Sequence, residues 1–408
     1  MKDRENTLFF SLLRAALSGE ALPPQYFAAL TPEQLEEFRS LAQRHDLTHL
    51  LALGLRQQGL LAAGERWGAA IYGAARRCEA LERALTEASQ ALSEEEIRHI
   101  PLKGAVLRGR YPEPWMRTSC DVDLLVHPED LPRSAAVLRE KLGYRIGRGG
   151  SHDLTLLAPG GVHLELHYSL MEDYVLERAA RVLERVWQYA EPRADEPFRL
   201  ELNDEMFWFY HLAHMAKHVV HGGCGIRPFL DLWMLRNCGE NARQRREALA
   251  CEGGLAAFSR AAQALASCWF SGCEMGARER RMEEFILSGG SYGSMENRVA
   301  IQQQRQGGKL RYARARIWLS YDVLVFQYPS LRGRRWLLPL YELRRWGRLL
   351  FGGRAARSVR ELRLNATTGK QTRTMIACLL DELELPVKSL EKTSLRACKD
   401  TEDMLKYM

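Results

Sequence analysis

The hydrophobic pattern divides the chain into two helical stretches on either side of one short mixed stretch. From Thr7 to Glu95 apolar residues recur at helical spacing. Leu8, Leu12, Leu13 and Leu17 open the series, and Pro23-Pro24 breaks it. Thr31-Pro32-Glu33 gives an N-cap with proline at the first helical position, and Leu35, Phe38 and Leu41 follow. Leu47–Leu60 and the Ala-rich Trp67–Leu92 complete a helical region over residues 1–95, which is expected to cap the rest.

Between residues 96 and 195 the period shifts to two. Arg98–Lys103 reads as a short strand, and Gly104 opens a helical pattern, Ala105-Val106-Leu107-Arg108. Asp121–Val126 is a strand with Asp121 and Asp123 on one face and Val122 and Leu124 on the other. Leu131–Leu142 is a helix, and the chain turns back into a strand at Gly143-Tyr144-Arg145. His152–Leu157 and residues 162–168 form a hairpin across the turn signal Ala158-Pro159-Gly160-Gly161. In its second strand His163, Glu165 and His167 share one face, and Val162, Leu164 and Leu166 the other.

From residue 196 to 300 the pattern is helical again. Asn203-Asp204-Glu205 leads into the long apolar run Met206–His221, which carries His211, His214, His218 and His221 on one helical face. Three readings compete for that face: a metal site through His214 and His218, histidines satisfied by core or solvent, or a polar lining of a cleft. Gly222-Gly223-Cys224-Gly225 ends the helix, and Ile226–Leu232 begins another containing Arg227 and Asp231. The Gly/Ser-rich stretch LSGGSYGSM around Gly290 lacks the phosphate-loop pattern and reads as a linker.

Residues 301–408 form a basic, Trp-containing helical region and tail. Between Arg305 and Arg373 many arginines, from Arg311 to Arg363, face only Asp322, Glu342 and Glu361, with Trp318, Trp336 and Trp346 interleaved. That mixture suits a polyanion such as nucleic acid, an anionic membrane surface, or a plain solvated face.

Composition narrows this picture. With 408 residues and 46% hydrophobic positions the chain is globular and long enough for several domains. Nine cysteines without paired C-x-x-C spacing argue against a disulfide framework or zinc ribbon and fit a reducing cytoplasm. The N-terminus lacks signal-peptide character, and no run suffices for a membrane span.

The chemistry gathers in Leu102–Val126, LKGAVLRGRYPEPWMRTSCDVDLLV. Two carboxylates on an apolar strand repel each other unless a cation sits between them, and hard divalent cations take oxygen ligands. If the strand carrying Glu165 pairs beside Asp121–Val126, three carboxylates converge, enough for two Mg²⁺ ions and displacement at phosphorus. Lys103 adds a point charge beside the glycine turn.

Strand, glycine turn, helix, D-x-D strand and later single-carboxylate strand resemble the DNA polymerase β-type nucleotidyltransferase superfamily. The wording LKG…DVDLLV…LELHYSL is most similar to its bacterial branch of uncharacterised nucleotidyltransferase-family proteins, well over roughly residues 95–170 and more loosely over His211–Leu235. The resemblance implies an α+β fold, a small mixed-sheet catalytic core flanked by N-terminal and C-terminal helical regions. It implies Asp121, Asp123 and Glu165 as catalytic metal ligands for Mg²⁺, and an NTP such as ATP as substrate. Gly104 would occupy the phosphate-binding turn, with Lys103, Arg117 or Arg110 supplying the contacts of the serine that Ala105 replaces. His214 and His218 would line the cleft. Arg227 and Asp231 would face the nucleotide or form an intramolecular ion pair. The acceptor, whether small molecule, peptide, protein or RNA, is unidentified. The alternative is a non-catalytic binding module acting on nucleic acid or an anionic membrane through the basic C-terminal region.

Overall fold

The computed structural model describes residues 2–27, 30–61, 66–150, 152–172, 176–351 and 355–385. The tail past Leu385 and Arg354 of the arginine series lie outside them. The protein is α+β, with a mixed seven-stranded sheet enclosed by helices.

The N-terminal helices are α1 (Lys2–Ser18), α2 (Pro32–Arg44), α3 (Thr48–Gln57) and α4 (Arg66–Glu94). Thr31 caps α2 as its sequence predicts, in a capping box with Gln34. Strand β1 (His99–Pro101), the single turn α5 (Gly104–Leu107), β2 (Asp121–Val126) and α6 (Leu131–Leu142) follow. Then come β3 (Arg145–Gly149), β4 (Asp153–Leu157), β5 (His163–His167), α7 (Glu177–Leu183), β6 (Ala190–Arg193) and β7 (Glu196–Leu202).

The strand order is β3-β4-β5-β2-β1-β7-β6. β4 and β5 make the predicted hairpin. β5 lies parallel to β2, with Asp123 directly opposite Glu165. The hairpin β6–β7 departs from the sequence pattern, which turns helical at residue 196. It adds two strands beyond β1, and Arg199 of β7 pairs with His99 in parallel. Pro192 and Pro197 hide it in the sequence, because proline within a run argues against a strand except at an edge.

Alternation decides which way each strand faces. Val122, Leu124, Leu154, Leu156, Leu164 and Leu166 share one core with Leu81, Leu85 and Leu92 of α4 and Leu131 and Leu138 of α6. Each such side chain contributes about 1.5–3 kcal/mol on burial. The opposite face, bearing Asp121, Asp123, Glu165 and His167, is thereby turned away from these two helices.

That face meets the second helical layer: α8 (Asp204–Val219), α9 (Arg227–Met234), α10 (Glu240–Glu252), α11 (Ala256–Ser271), α12 (Ala277–Leu287) and α13 (Met295–Arg305). Asn203 caps α8, accepting from the Met206 amide. A second core joins α1 and α3 to α8, α9 and α11, and takes in Ile100 and Leu125 of the sheet. The basic region comprises α14 (Lys309–Ile317), α15 (Tyr321–Gln327), α16 (Leu338–Phe351), α17 (Ala355–Thr367) and α18 (Lys370–Glu382). Around α15 and α16 it has a small core of its own, centred on Leu324, Tyr328 and Leu331. No helix among the described residues is long and apolar enough to cross a membrane.

Candidate active site

Asp123 is the most constrained acid of the sheet. Its side chain is 2% exposed, and its Oδ1 accepts from Lys103 Nζ at 2.7 Å and from His167 Nε2 at 2.8 Å. The same His167 nitrogen lies 3.5 Å from Glu165 Oε2. One ligand atom from each of Asp123, Glu165 and His167 falls within 4.8 Å of the others. Asp121, two residues before Asp123 on the same strand face, is partly exposed.

Lys103 reaches Asp123 through an unusual backbone. Its φ of 45° and ψ of −118° belong to a region few non-glycine residues adopt. The next residue has no freedom either. A Cβ on Gly104 would lie 2.8 Å from Ser119 Oγ, so only glycine lets this turn close on the segment leading into β2. Ser119 Oγ in turn accepts from Arg108 Nη1 at 2.8 Å, and Arg108 Nε is bonded to Glu82 of α4. The turn is therefore locked from both sides, and α5 after it is a single turn of four residues.

The charges act on one another strongly. Burial, reinforced by the Asp123 charge, pushes the Asp121 carboxyl up from 3.8 to about 6. Burial works against ionised Asp123, but Lys103 and the hydrogen bond from His167 outweigh it and hold its carboxyl well below the usual range. His167 is raised in spite of burial and the Lys103 charge, because it donates to Asp123 and Glu165. The Lys103 ammonium, with the hydrogen-bonding His167 beside it, thus offsets the carboxylates.

The raised Asp121 carboxyl has a consequence for stability. The fold favours its neutral form, so its contribution is fully present below about 3.8 and lost as pH rises through about 6. In the metal-free protein Asp121→Asn should therefore be stabilising by roughly 2–3 kcal/mol near neutrality, with no gain below about pH 4. Thermal melts in a chelator across this range measure the difference.

A cleft of about 360 Å³ opens over this face. It is lined by Lys103, Gly104, Asp121, Asp123 and Glu165 from the sheet side, and by His214, His218 and Arg227 from the helical side. Arg117 lines it as well, whereas Asp231 is wholly buried behind it. Asp231 grips Arg117 in a bidentate pair, Nε–Oδ1 2.7 Å and Nη2–Oδ2 2.9 Å, and accepts from Tyr111 at 2.7 Å. The expectation that Asp231 faces a nucleotide thus gives way to a structural ion pair, with Arg117 and not Arg227. Arg227 pairs instead with Asp46 at 2.9 Å, and Thr118 Oγ1 donates to the same carboxylate oxygen.

The histidine face of α8 separates into different uses. His214 and His218 share a hydrogen bond between their Nε2 atoms at 2.9 Å, one donating and one accepting. Burial and nearby cations push His218 down to about 4 and hold His214 well below its ordinary 6.5, so both are neutral. His211 also borders the cleft, but its Nε2 donates to the Pro228 carbonyl. His221 bonds the Lys217 carbonyl and does not line the cleft.

Several cleft residues take places the sequence does not reveal, although His152 reads there as a structural hydrogen-bonding residue or a substrate contact. His167 stood on the right face but without a role. His152 Nδ1 lies 3.2 Å from Glu172, which also pairs with Lys217 at 2.7 Å. Ser291 and Tyr292 reach the cleft from the Gly/Ser stretch read as a linker. Asp46, the partner of Arg227, comes from the N-terminal helical region, whose sequence shows no chemical motif.

The donor set fits a divalent cation. The carboxylates of Asp123 and Glu165 converge and supply the hard oxygen donors, with His167 orienting them, and Lys103 Nζ at 2.7 Å from Asp123 shows that the spot accommodates positive charge. No curated protein and no solved structure matches the chain. A family model described as uncharacterised nucleotidyltransferase matches residues 31–271, from the start of α2 through the sheet to the end of α11. With that match over more than half its length, the chain belongs to this nucleotidyltransferase family.

Proposed function

We propose that the protein moves a nucleoside monophosphate group from an NTP to a hydroxyl or phosphate acceptor, releasing pyrophosphate. The observation that carries this reading is the β2–β5 register, which sets Asp123 directly opposite Glu165 on the face that lines the cleft. Asp121, Asp123 and Glu165 would hold Mg²⁺. When bound, the metal supplies charge neutralisation on the triphosphate and lowers the pKa of the attacking oxygen.

The chain's own residues do the positioning. Lys103, Arg117 and Arg227 bring positive charge to the cleft, matching the phosphates. His167 orients Asp123 and Glu165 through its shared nitrogen. Neutral His214 and His218 give hydrogen-bonding groups without adding charge. The acceptor oxygen attacks the α-phosphorus as the bond to the pyrophosphate oxygen breaks, and a hydroxyl acceptor gives up its proton to solvent. Most of the rate enhancement comes from geometry and charge compensation, as in other phosphoryl transfers.

Incubating the protein with each α-labelled NTP, Mg²⁺ and cell extract tests the reading. A labelled acceptor is the expected product, and its absence with every NTP counts against transfer.

The basic region supports a second activity. Trp336 just before α16 and Leu340 and Leu343 in its first turns are largely exposed, with exposed Arg332, Arg334, Arg335 and Arg344 around them. Apolar and cationic side chains together match an anionic lipid surface. Some arginines are committed within the protein, as Arg316 is to Glu361 and Arg345 to Glu342. The protein should sediment with phosphatidylserine vesicles and lose them as salt rises, without need of Mg²⁺. Equal sedimentation with neutral vesicles argues against this.

A further inference from the structure

We propose that Tyr292 is the shelf on which the base of the nucleotide stacks, and that the Gly/Ser loop carrying it is a built part of the site. The inference rests on the nucleotidyl-transfer reading and deepens it by assigning the base subsite.

The loop between α12 and α13 has the composition of a linker but not its freedom. Three chain segments meet there backbone on backbone. The Ser291 amide donates to the Arg44 carbonyl at 2.9 Å, and the Ser294 amide to the Gly222 carbonyl at 3.1 Å. The Ile226 amide donates to His45 Nδ1 at 3.3 Å. The glycines are what allow this approach. Gly293 has a φ of 72°, and a Cβ there would lie 2.1 Å from the Gly222 carbonyl oxygen. On Gly290 a Cβ would lie 2.7 Å from the Arg44 oxygen, and on Gly225 2.9 Å from the Ser291 Cα. Ser294 then caps α13 by accepting from the Asn297 amide. Close approach, not flexibility, explains the run of glycines.

Such a fixed loop holds Tyr292 at its tip, yet the residue is 66% exposed. A large aromatic ring is here held at a cleft and left without a full packing partner. Its nearest ring is His218, at a centroid distance of 6.2 Å and tilted by 55°. Tyr292 lines the same cleft as Cys120 and Asp121 at the start of β2. The division of labour follows from charge. The phosphates go to Lys103 and the arginines, while Tyr292 carries no positive charge and offers a π face. Stacking accepts any base, since every base has such a face.

The test is calorimetric titration of the full-length protein, with Mg²⁺, against the four NTPs and inorganic tripolyphosphate, which has the charge but no base. Tyr292→Ala should weaken the preferred NTP by about 10- to 100-fold and leave tripolyphosphate unchanged. Tyr292→Phe, which keeps the ring and loses the hydroxyl, should bind like the wild type. Stacking is overturned if Tyr292→Ala binds the NTP as well as the wild type, or if it loses NTP and tripolyphosphate alike. A tyrosine that serves the acceptor would appear as unchanged NTP binding with impaired transfer, which also overturns the proposal. Wild-type protein that binds neither ligand sinks the nucleotidyl-transfer reading itself, and the base subsite with it.

Discussion

Asp123→Asn should abolish nucleotidyl transfer, by about 10³-fold or more, while the protein still folds. The expected size follows from what a bound metal contributes at a phosphoryl centre, several kcal/mol, at about 1.4 kcal/mol per factor of ten. Asparagine has nearly the same shape as aspartate and keeps an acceptor oxygen for Lys103 and His167, which both donate to Oδ1. It removes the charge that a cation needs. It also removes one of the two carboxylates that keep His167 raised, so the imidazole in the variant should titrate lower than in the wild type. Label transfer from α-labelled NTP gives the first readout. The second is histidine NMR, which shows whether His167 has lost its proton at a pH where the wild type keeps it. Transfer within tenfold of the wild type would remove Asp123 from the chemistry.

The site was legible as far as its determinants are local. A strand repeats every two residues, so Val122 and Leu124 against Asp121 and Asp123 fix the two faces of β2 without knowledge of its neighbours. The same holds for Leu164 and Leu166 against Glu165 and His167 in β5. Caps at Thr31 and Asn203 are equally short-range. What could not be read depends on partners far away in the chain. Asp46 meets Arg227 across 181 positions, and Arg117 meets Asp231 across 114. No spacing rule connects such pairs, and the nearer combination of Arg227 with Asp231, four residues apart, suggested a pair that does not form. The β6–β7 hairpin was hidden because Pro192 and Pro197 and the exposed charges of Glu191, Arg193 and Glu201 look like loop. At Gly290 and Gly293 composition was misleading for a different reason. Glycine permits flexibility, but it also permits contacts that any side chain would block, and here the second property decides.

The largest loss of stability is expected from Asp231→Ala. Asp231 is 0% exposed and Arg117 8%, so neither end of the pair has water to fall back on. Alanine would leave a guanidinium buried with no countercharge, and would strip Tyr111 of its acceptor. Removing one partner of a buried pair costs about 3–5 kcal/mol. Asp46→Ala breaks the pair with Arg227 in a more open setting, with the Asp46 side chain 32% exposed, and should cost about 1 kcal/mol or less. Chemical denaturation of the two variants side by side measures the contrast, and equal losses would mean that Arg117 finds solvent once Asp231 is gone. The pair also predicts a pH dependence. Burial alone would raise the Asp231 carboxyl, but Arg117 outweighs it and holds the carboxyl below its ordinary 3.8. Its stabilisation is therefore present above about pH 4 and lost as pH falls through the depressed value. Asp121 has the opposite sign, favouring the fold at low pH and opposing it near neutrality. Acid unfolding should thus be driven by Asp231 and its like and shift toward neutral pH in Asp231→Ala, while Asp121→Asn leaves it in place. Since Arg117 lines the cleft, Asp231→Ala should also weaken NTP binding in whatever fraction remains folded, which Asp121→Asn, by contrast, need not do in the absence of metal.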